Sequence, residues 1–202
     1  MKRMEFFFNY GSTYSYLTIM RIEKLAAQAE VSVHWRPFNV RTLFVEQNNI
    51  PFRDKPVKAA YMWRDIERRA AKFGIEWGGI PPYPVDKSGL SNRIGIVASD
   101  EGWAGEYTRA AYRAWFLEHK DFGEPEVALA ALQSIGKDPK LVIARADSDE
   151  IHQKFAAQTG EARSLGIFGV PTFVIGKEIF WGDDRLEDAL EWAQKSAEQT
   201  EV

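Results

Sequence analysis

The chain has 202 residues, and 26 Lys plus Arg against 29 Asp plus Glu leave a net charge of −3, so gross charge offers no hold on nucleic acid. With 45% hydrophobic and 13% aromatic residues it has the side chains for a sizeable core, which excludes disorder as its main state. The absence of Cys removes disulfides, thiolate zinc sites, iron–sulfur clusters and any cysteine nucleophile, so an enzyme of this sequence borrows its sulfur or needs none.

After Lys2 and Arg3 only Phe6, Phe7 and Phe8 run together before Asn9, which is too short for a secretory leader. No apolar run approaches the roughly 20 residues of a membrane span. The expectation is a soluble, cytoplasmic chain with no membrane partner. Met4 to Phe8 reads as a strand that stops at the turn and cap residues Asn9, Tyr10, Gly11 and Ser12. Thr18, Ile22, Leu25, Ala26 and Ala29 then share one helical face, and Val31 to Phe38 alternates into a second strand ended by Pro37, completing a βαβ unit.

The following stretch has helical periods: Met62, Ile66 and Phe73; Trp103, Tyr107, Ala110, Ala111, Ala114 and Leu117; and Val127, Ala130 and Ala131 behind Pro125. A proline-rich loop, Ile80 to Pro84, interrupts the block, and Ile151, Phe155, Ala162 and Leu165 close it with Gly166 as C-cap. Pro171 to Ile175 and Glu178 to Trp181 are strand-length runs joined at Gly176 and Lys177, as in a hairpin. Asp184 opens a last helix with Leu186, Ala189, Leu190 and Ala193 on one face, and Glu187 stands at capping-box spacing. The order is βαβ, a helical block, ββα. No repeat or linker separates two domains, so the expectation is one α/β body with residues 1–38 and 167–200 as its core and 39–166 as an all-helical insertion.

Three places could carry chemistry. Ser12 and Thr13 stand at a strand-to-helix junction, where unpaired amides and the helix dipole favour an anion such as a thiolate; the alternative is simple N-capping. No GxSxG elbow is present, since Tyr14 stands where the second Gly belongs. Gly169-Val170-Pro171-Thr172 opens a strand, and a cis Val170-Pro171 bond would turn the Val170 amide and carbonyl toward an extended peptide; the alternative is a trans Pro at a strand start. At Trp181-Gly182-Asp183-Asp184-Arg185 helix amides suit a carboxylate and a neighbouring Asp suits an ammonium; the alternatives are capping for Asp184 and a solvent-facing position for Asp183. His34, His119 and His152 are isolated, so no metal site is expected.

These stretches resemble the 2-hydroxychromene-2-carboxylate isomerase family, bacterial relatives of kappa-class glutathione transferases with a DsbA-like thioredoxin fold. Asn9-Tyr10-Gly11-Ser12-Thr13-Tyr14-Ser15-Tyr16-Leu17 is similar to that family's Asp, two variable residues, then Ser-Pro-Tyr-Ser-Tyr-Leu, with Asn9 and Thr13 as departures. Gly169 to Phe173 looks like its cis-proline loop, and Phe180-Trp181-Gly182-Asp183-Asp184-Arg185-Leu186 is similar to the isomerases' Phe-Trp-Gly-variable-Asp-Arg-Leu. The resemblance implies that glutathione is the cofactor and that Ser12 is the catalytic residue favouring its thiolate. It implies that Asn49, Lys58, Asp65, Val170, Pro171, Gly182, Asp183, Asp184 and Arg185 line the cofactor site.

The reaction so implied is thiolate addition to the chromene ring system, ring opening, bond rotation and return of glutathione, giving trans-o-hydroxybenzylidene pyruvate in aromatic hydrocarbon catabolism. Asn49 at the site mouth and Tyr83, with Trp115, are candidates to touch the flat substrate; the alternative for the two aromatics is core packing. A homodimer is implied by many relatives. Rivals are a kappa-like glutathione transferase, which would consume glutathione, and a non-catalytic peptide-binding module on the cis-Pro edge.

Overall fold

Three consecutive phenylalanines set the first strand at the centre of the sheet. The computed structural model describes residues 2–52 and 54–198, and in it β1 (Lys2–Phe8) alternates these rings across its two faces. Phe6 and Phe8 stack with centroids 4.9 Å apart and both meet Trp35 edge-on, while Phe7 packs against Phe38 on the opposite side. All three are fully buried, as a strand covered on both faces requires. β1 pairs in parallel with β2 (Val31–Pro37) and antiparallel with β3 (Thr172–Ile175), which continues through a hairpin into β4 (Glu178–Trp181). The sheet order is β2-β1-β3-β4.

The single helical face expected between β1 and β2 is divided into α1 (Ser15–Ile19) and α2 (Ile22–Gln28). Arg21 leaves the helical region at φ −121°, and its Nε turns back to donate to the Leu17 carbonyl at 3.2 Å. Ile22 and Ala26 still face the core, which is why the periodicity runs through the break.

Between β2 and β3 the chain forms α3 (Val40–Glu46), α4 (Pro56–Phe73), α5 (Leu90–Glu101), α6 (Ala104–Phe116), α7 (Pro125–Ser134), α8 (Pro139–Ala146) and α9 (Asp149–Ser164). Proline opens α4, α7 and α8; Asp138 caps α8 by accepting from Lys140 N at 2.9 Å, and left-handed Gly74 (φ 67°) closes α4. Helix α5 carries no polar stripe: Leu90, Ser91, Asn92, Ile94, Ile96 and Val97 are all buried, so amphipathic periodicity does not reveal it. Phe6, Phe8 and Phe173 join the larger core with helical-block residues such as Tyr107, Tyr112 and Trp115. A smaller core on the other face joins Phe7 and Val174 to Val40, Leu43 and Ala162.

The final helix, α10 (Leu186–Glu198), buries Leu186, Ala189, Leu190 and Ala193 as the sequence implies. Its expected capping box does not form. Asp183–Arg185 is a 3-10 turn without a side-chain cap, and Glu187 reaches Arg21 instead. Among the described residues, no helix is long and apolar enough to cross a membrane.

Candidate active site

β1 delivers the chain into a tight turn. The Ser12 amide donates to the Asn9 carbonyl at 3.0 Å, and Gly11 supplies the left-handed conformation (φ +97°) that the turn needs. Helix α1 begins only at Ser15 and has no side-chain cap, so neither Ser12 nor Thr13 is spent on capping. The two hydroxyls differ. Thr13 is buried and donates to the Met62 sulfur at 2.9 Å, whereas Ser12 is partly exposed and accepts from Ser15 Oγ at 2.8 Å. With Ser15 as donor in that bond, the Ser12 O–H remains available to donate to another group. Fully buried Tyr112 holds the turn by donating to the Asn9 and Ser12 carbonyls, each at 3.1 Å.

Tyr14, two residues on, donates to Asp65 of α4 at 3.0 Å. Burial first, and then this bond, push the Tyr14 phenol well above its usual range, so it stays a donor. Asp65 is thus tied to the Ser12 turn, with Arg68 3.7 Å from its carboxylate.

The Val170-Pro171 peptide is cis. Around it, Thr172 Oγ1 donates to the Gly169 carbonyl at 2.8 Å and the Gly182 amide donates to the Pro171 carbonyl at 2.9 Å. The amide and carbonyl of Val170 find no partner among the described residues, which leaves a peptide edge able to receive an extended ligand.

The two acids before α10 have separate fates. Asp183 is 3% exposed, not solvent-facing: Thr18 Oγ1 (3.0 Å) and Arg21 Nη2 (2.9 Å) donate to one oxygen, and Arg69 Nε (3.3 Å) and Nη2 (2.9 Å) to the other. Four donors fill the carboxylate and leave no place for a ligand ammonium. Burial works most strongly on the Arg69 charge and opposes it, yet the bond to Asp183 and the negative charges of Asp183, Asp65 and Asp184 together hold its pKa above the usual value. Asp184 is exposed and pairs with Arg185 Nη2 at 3.3 Å, while Arg185 also reaches Asp188 at 2.8 Å.

Tyr83, 44% exposed, stands edge-on to Trp63 (centroids 5.9 Å) and Phe52 (6.4 Å), and Lys58 Nζ lies 5.7 Å over the Phe52 ring. Lys58 also lines a surface groove with Lys55, Val57 and Tyr61. Asn49 is exposed just beyond α3, its amide donating to the Phe44 carbonyl at 2.8 Å. Among the described residues, neither Asn49 nor Lys58 is hydrogen-bonded to the Ser12 turn. Trp115 is core: it is fully buried, with Nε1 donating to the Pro82 carbonyl at 2.6 Å, so it cannot cover a substrate.

Sequence patterns did not reveal Arg21, Arg69 and Ser15, which hold the site from behind, nor buried Asp86. Burial raises the Asp86 pKa, opposed by bonds from the Ser91 amide and Asn92 Nδ2; Asn92 in turn accepts from the Tyr10 amide at 3.1 Å. These contacts span remote segments, and no local spacing signals them.

A four-stranded mixed sheet, a cis-proline loop and a helical block between β2 and β3 define a thioredoxin-type architecture, here without a cysteine at the end of β1. The chain belongs to the DSBA-like thioredoxin domain family, which it matches over residues 3–192. Among individual proteins it is similar to the 2-hydroxychromene-2-carboxylate isomerase of Pseudomonas putida, 26% identical over 186 residues that cover 91% of this chain and 90% of that protein. It is also similar to glutathione S-transferase kappa 1 of Caenorhabditis elegans, 22% identical over 208 residues covering 92% and 88%. A solved 2-hydroxychromene-2-carboxylate isomerase structure superposes with a TM-score of 0.86 at 24% identity, covering 98% of this chain and 97% of the other, and so shares the fold.

Proposed function

We propose that this chain is a glutathione-dependent isomerase that converts 2-hydroxychromene-2-carboxylate, or a close aromatic analogue, to trans-o-hydroxybenzylidene pyruvate. The observation that carries the reading is Ser12, a hydroxyl that caps nothing, accepts from Ser15 and keeps its own proton for a ligand anion. Relatives named for this isomerase support the substrate, and the kappa transferase relative supports the cofactor.

The residues fit glutathione by their chemistry. Unpaired main-chain groups at Val170 suit an extended peptide, the exposed Asp184 carboxylate suits an ammonium, and Ser12 Oγ suits a sulfur anion. When bound, glutathione supplies the thiolate nucleophile that a chain without Cys lacks. Ser12 would donate its hydroxyl proton toward that sulfur and lower the cost of its negative charge. Val170 would hold the peptide part in register beside Ser12, and Tyr83 would lie against the flat ring. Asp183 binds no ligand in this scheme; with Arg21 and Arg69 it fixes the backbone that presents Asp184.

The test is turnover of 2-hydroxychromene-2-carboxylate followed by absorbance, with and without glutathione, while free thiol is titrated. Turnover that requires glutathione and leaves it unconsumed supports the isomerase. Consumption in step with product would make the chain a transferase, and turnover without thiol would remove the mechanism.

A further inference from the structure

Arg41 stands apart from the other arginines. Each other arginine among the described residues forms an ion pair with a carboxylate. Arg41, on α3 and only partly exposed, has none; Nη1 donates to the Asp86 carbonyl at 2.9 Å and Nη2 donates to the Val85 carbonyl. Two neutral main-chain acceptors fix the fork in place without neutralising it. The buried Asp86 side chain senses the guanidinium charge but does not form an ion pair with it. Nε and the second hydrogen of each terminal nitrogen are left over, which is the donor set a carboxylate takes in two-point fashion.

The position of this charge matters as much as its isolation. A Cβ built on Gly11 would lie 3.1 Å from Arg41 Nη2, so the guanidinium rests against the backbone next to Ser12. The loop after Tyr83 adjoins the same place, since the Val85 carbonyl that accepts from Nη2 would itself lie 3.4 Å from that Cβ. Burial pushes the Tyr83 phenol up and the Arg41 charge opposes that rise, and the Tyr83-Pro84 peptide that turns the loop is cis. The neighbourhood thus has a partly exposed hydroxyl, a half-exposed aromatic ring and a preset, unpaired cation.

We propose that Arg41 is the substrate-specificity residue of this site, binding the carboxylate of a planar aromatic acid and setting its ring between Tyr83 and Ser12. The assignment rests on the isomerase reading for the identity of the substrate, and adds to it the group that selects acids over neutral rings. An alternative role, a clamp on the Val85–Asp86 loop, predicts loss of both kinds of ligand alike.

The test uses two non-reacting probes, coumarin-3-carboxylate and coumarin-3-carboxamide, with binding followed by tryptophan fluorescence in the absence of glutathione. Wild type is expected to favour the carboxylate by about tenfold or more, as a charge-assisted pair implies. Arg41→Met should abolish that preference while leaving carboxamide affinity unchanged, and Arg41→Lys, which keeps the charge but not the fork, should retain part of it. No preference in wild type, or equal losses for both probes in the variants, would overturn the assignment. Because wild type alone decides the first point, an unfolded variant does not rescue a failed proposal. Binding here is independent of thiol chemistry, so a carboxylate preference without glutathione-dependent turnover would fault the isomerase reading and not Arg41.

Discussion

Arg69 of α4 and Asp183, 114 residues further along, meet at 2.9 Å. Their contact joins the helical block to the segment after the hairpin, and Arg21 joins the same carboxylate from between α1 and α2. Three separate stretches of chain therefore converge on one buried acid.

Replacing Asp183 with Asn removes the shared counter-charge while leaving both guanidinium groups in place. Breaking a buried ion pair from one side costs roughly 3–5 kcal/mol. Denaturant unfolding of Asp183→Asn should show a loss in that range, and an unchanged midpoint would mean that the arginines find water without penalty. Arg69→Met should cost less, because its side chain is 25% exposed against 2% for Asp183.

Asp184→Asn separates ligand binding from stability. Asp184 is exposed and caps nothing, so the substitution should leave unfolding almost unchanged. If Asp184 receives the γ-glutamyl ammonium, loss of its charge removes a bond of roughly 1.5–3 kcal/mol and weakens glutathione about tenfold or more by calorimetry. Wild-type affinity in this variant would place the ammonium elsewhere.

For Ser12→Ala the readout is the ultraviolet absorbance of bound thiolate against pH. Without the donated hydrogen bond the thiol pKa of bound glutathione should rise, each unit being worth about 1.4 kcal/mol. A raised pKa lowers the thiolate fraction below it, so activity should fall at neutral pH and the deficit should narrow as pH climbs. Thr13 offers no rescue, because its hydroxyl is turned to Met62. A shifted titration in Thr13→Ala with none in Ser12→Ala would reverse these roles.

The buried tyrosines predict an alkaline limit to stability. Burial pushes the phenols of Tyr10, Tyr107 and Tyr112 well above the ordinary value of 10. Their folded-state pKa values exceed the unfolded ones, so their contribution is complete below pH 10 and is lost as pH rises from there toward the folded values. Unfolding free energy should decline above pH 10, with phenolate absorbance from these residues appearing together with unfolding. Phenolate growing in gradually while the fold stays intact would contradict their burial.

The sheet was readable wherever its signal is local. Phe6 to Phe8, the alternation into Pro37, and the runs flanking Gly176 and Lys177 each carry their pairing in a few neighbouring residues, and the structure has strands there. Val170-Pro171 needed family resemblance, because the peptide isomer is not written in spacing. The site was legible only in its exposed parts. Asp183 and Asp184 are adjacent and chemically identical, yet one is filled by arginines from two distant segments and the other is exposed beside its neighbour Arg185. Arg41 gave no local signal, since its meaning lies in the carboxylate it lacks.

The strand order also constrains how the protein is made. β1 is central, but one of its two neighbours, β3, begins at Thr172. A ribosome releases Phe6 and Phe8 long before Phe173 can stack on Phe6, at a centroid distance of 5.5 Å. Throughout that interval β1 has an open edge next to the Ser12 turn, and the Val170 backbone does not yet exist beside it. Nascent chains stalled before residue 172 should therefore recruit holdase chaperones and retain no glutathione, with both properties reversing once the hairpin emerges.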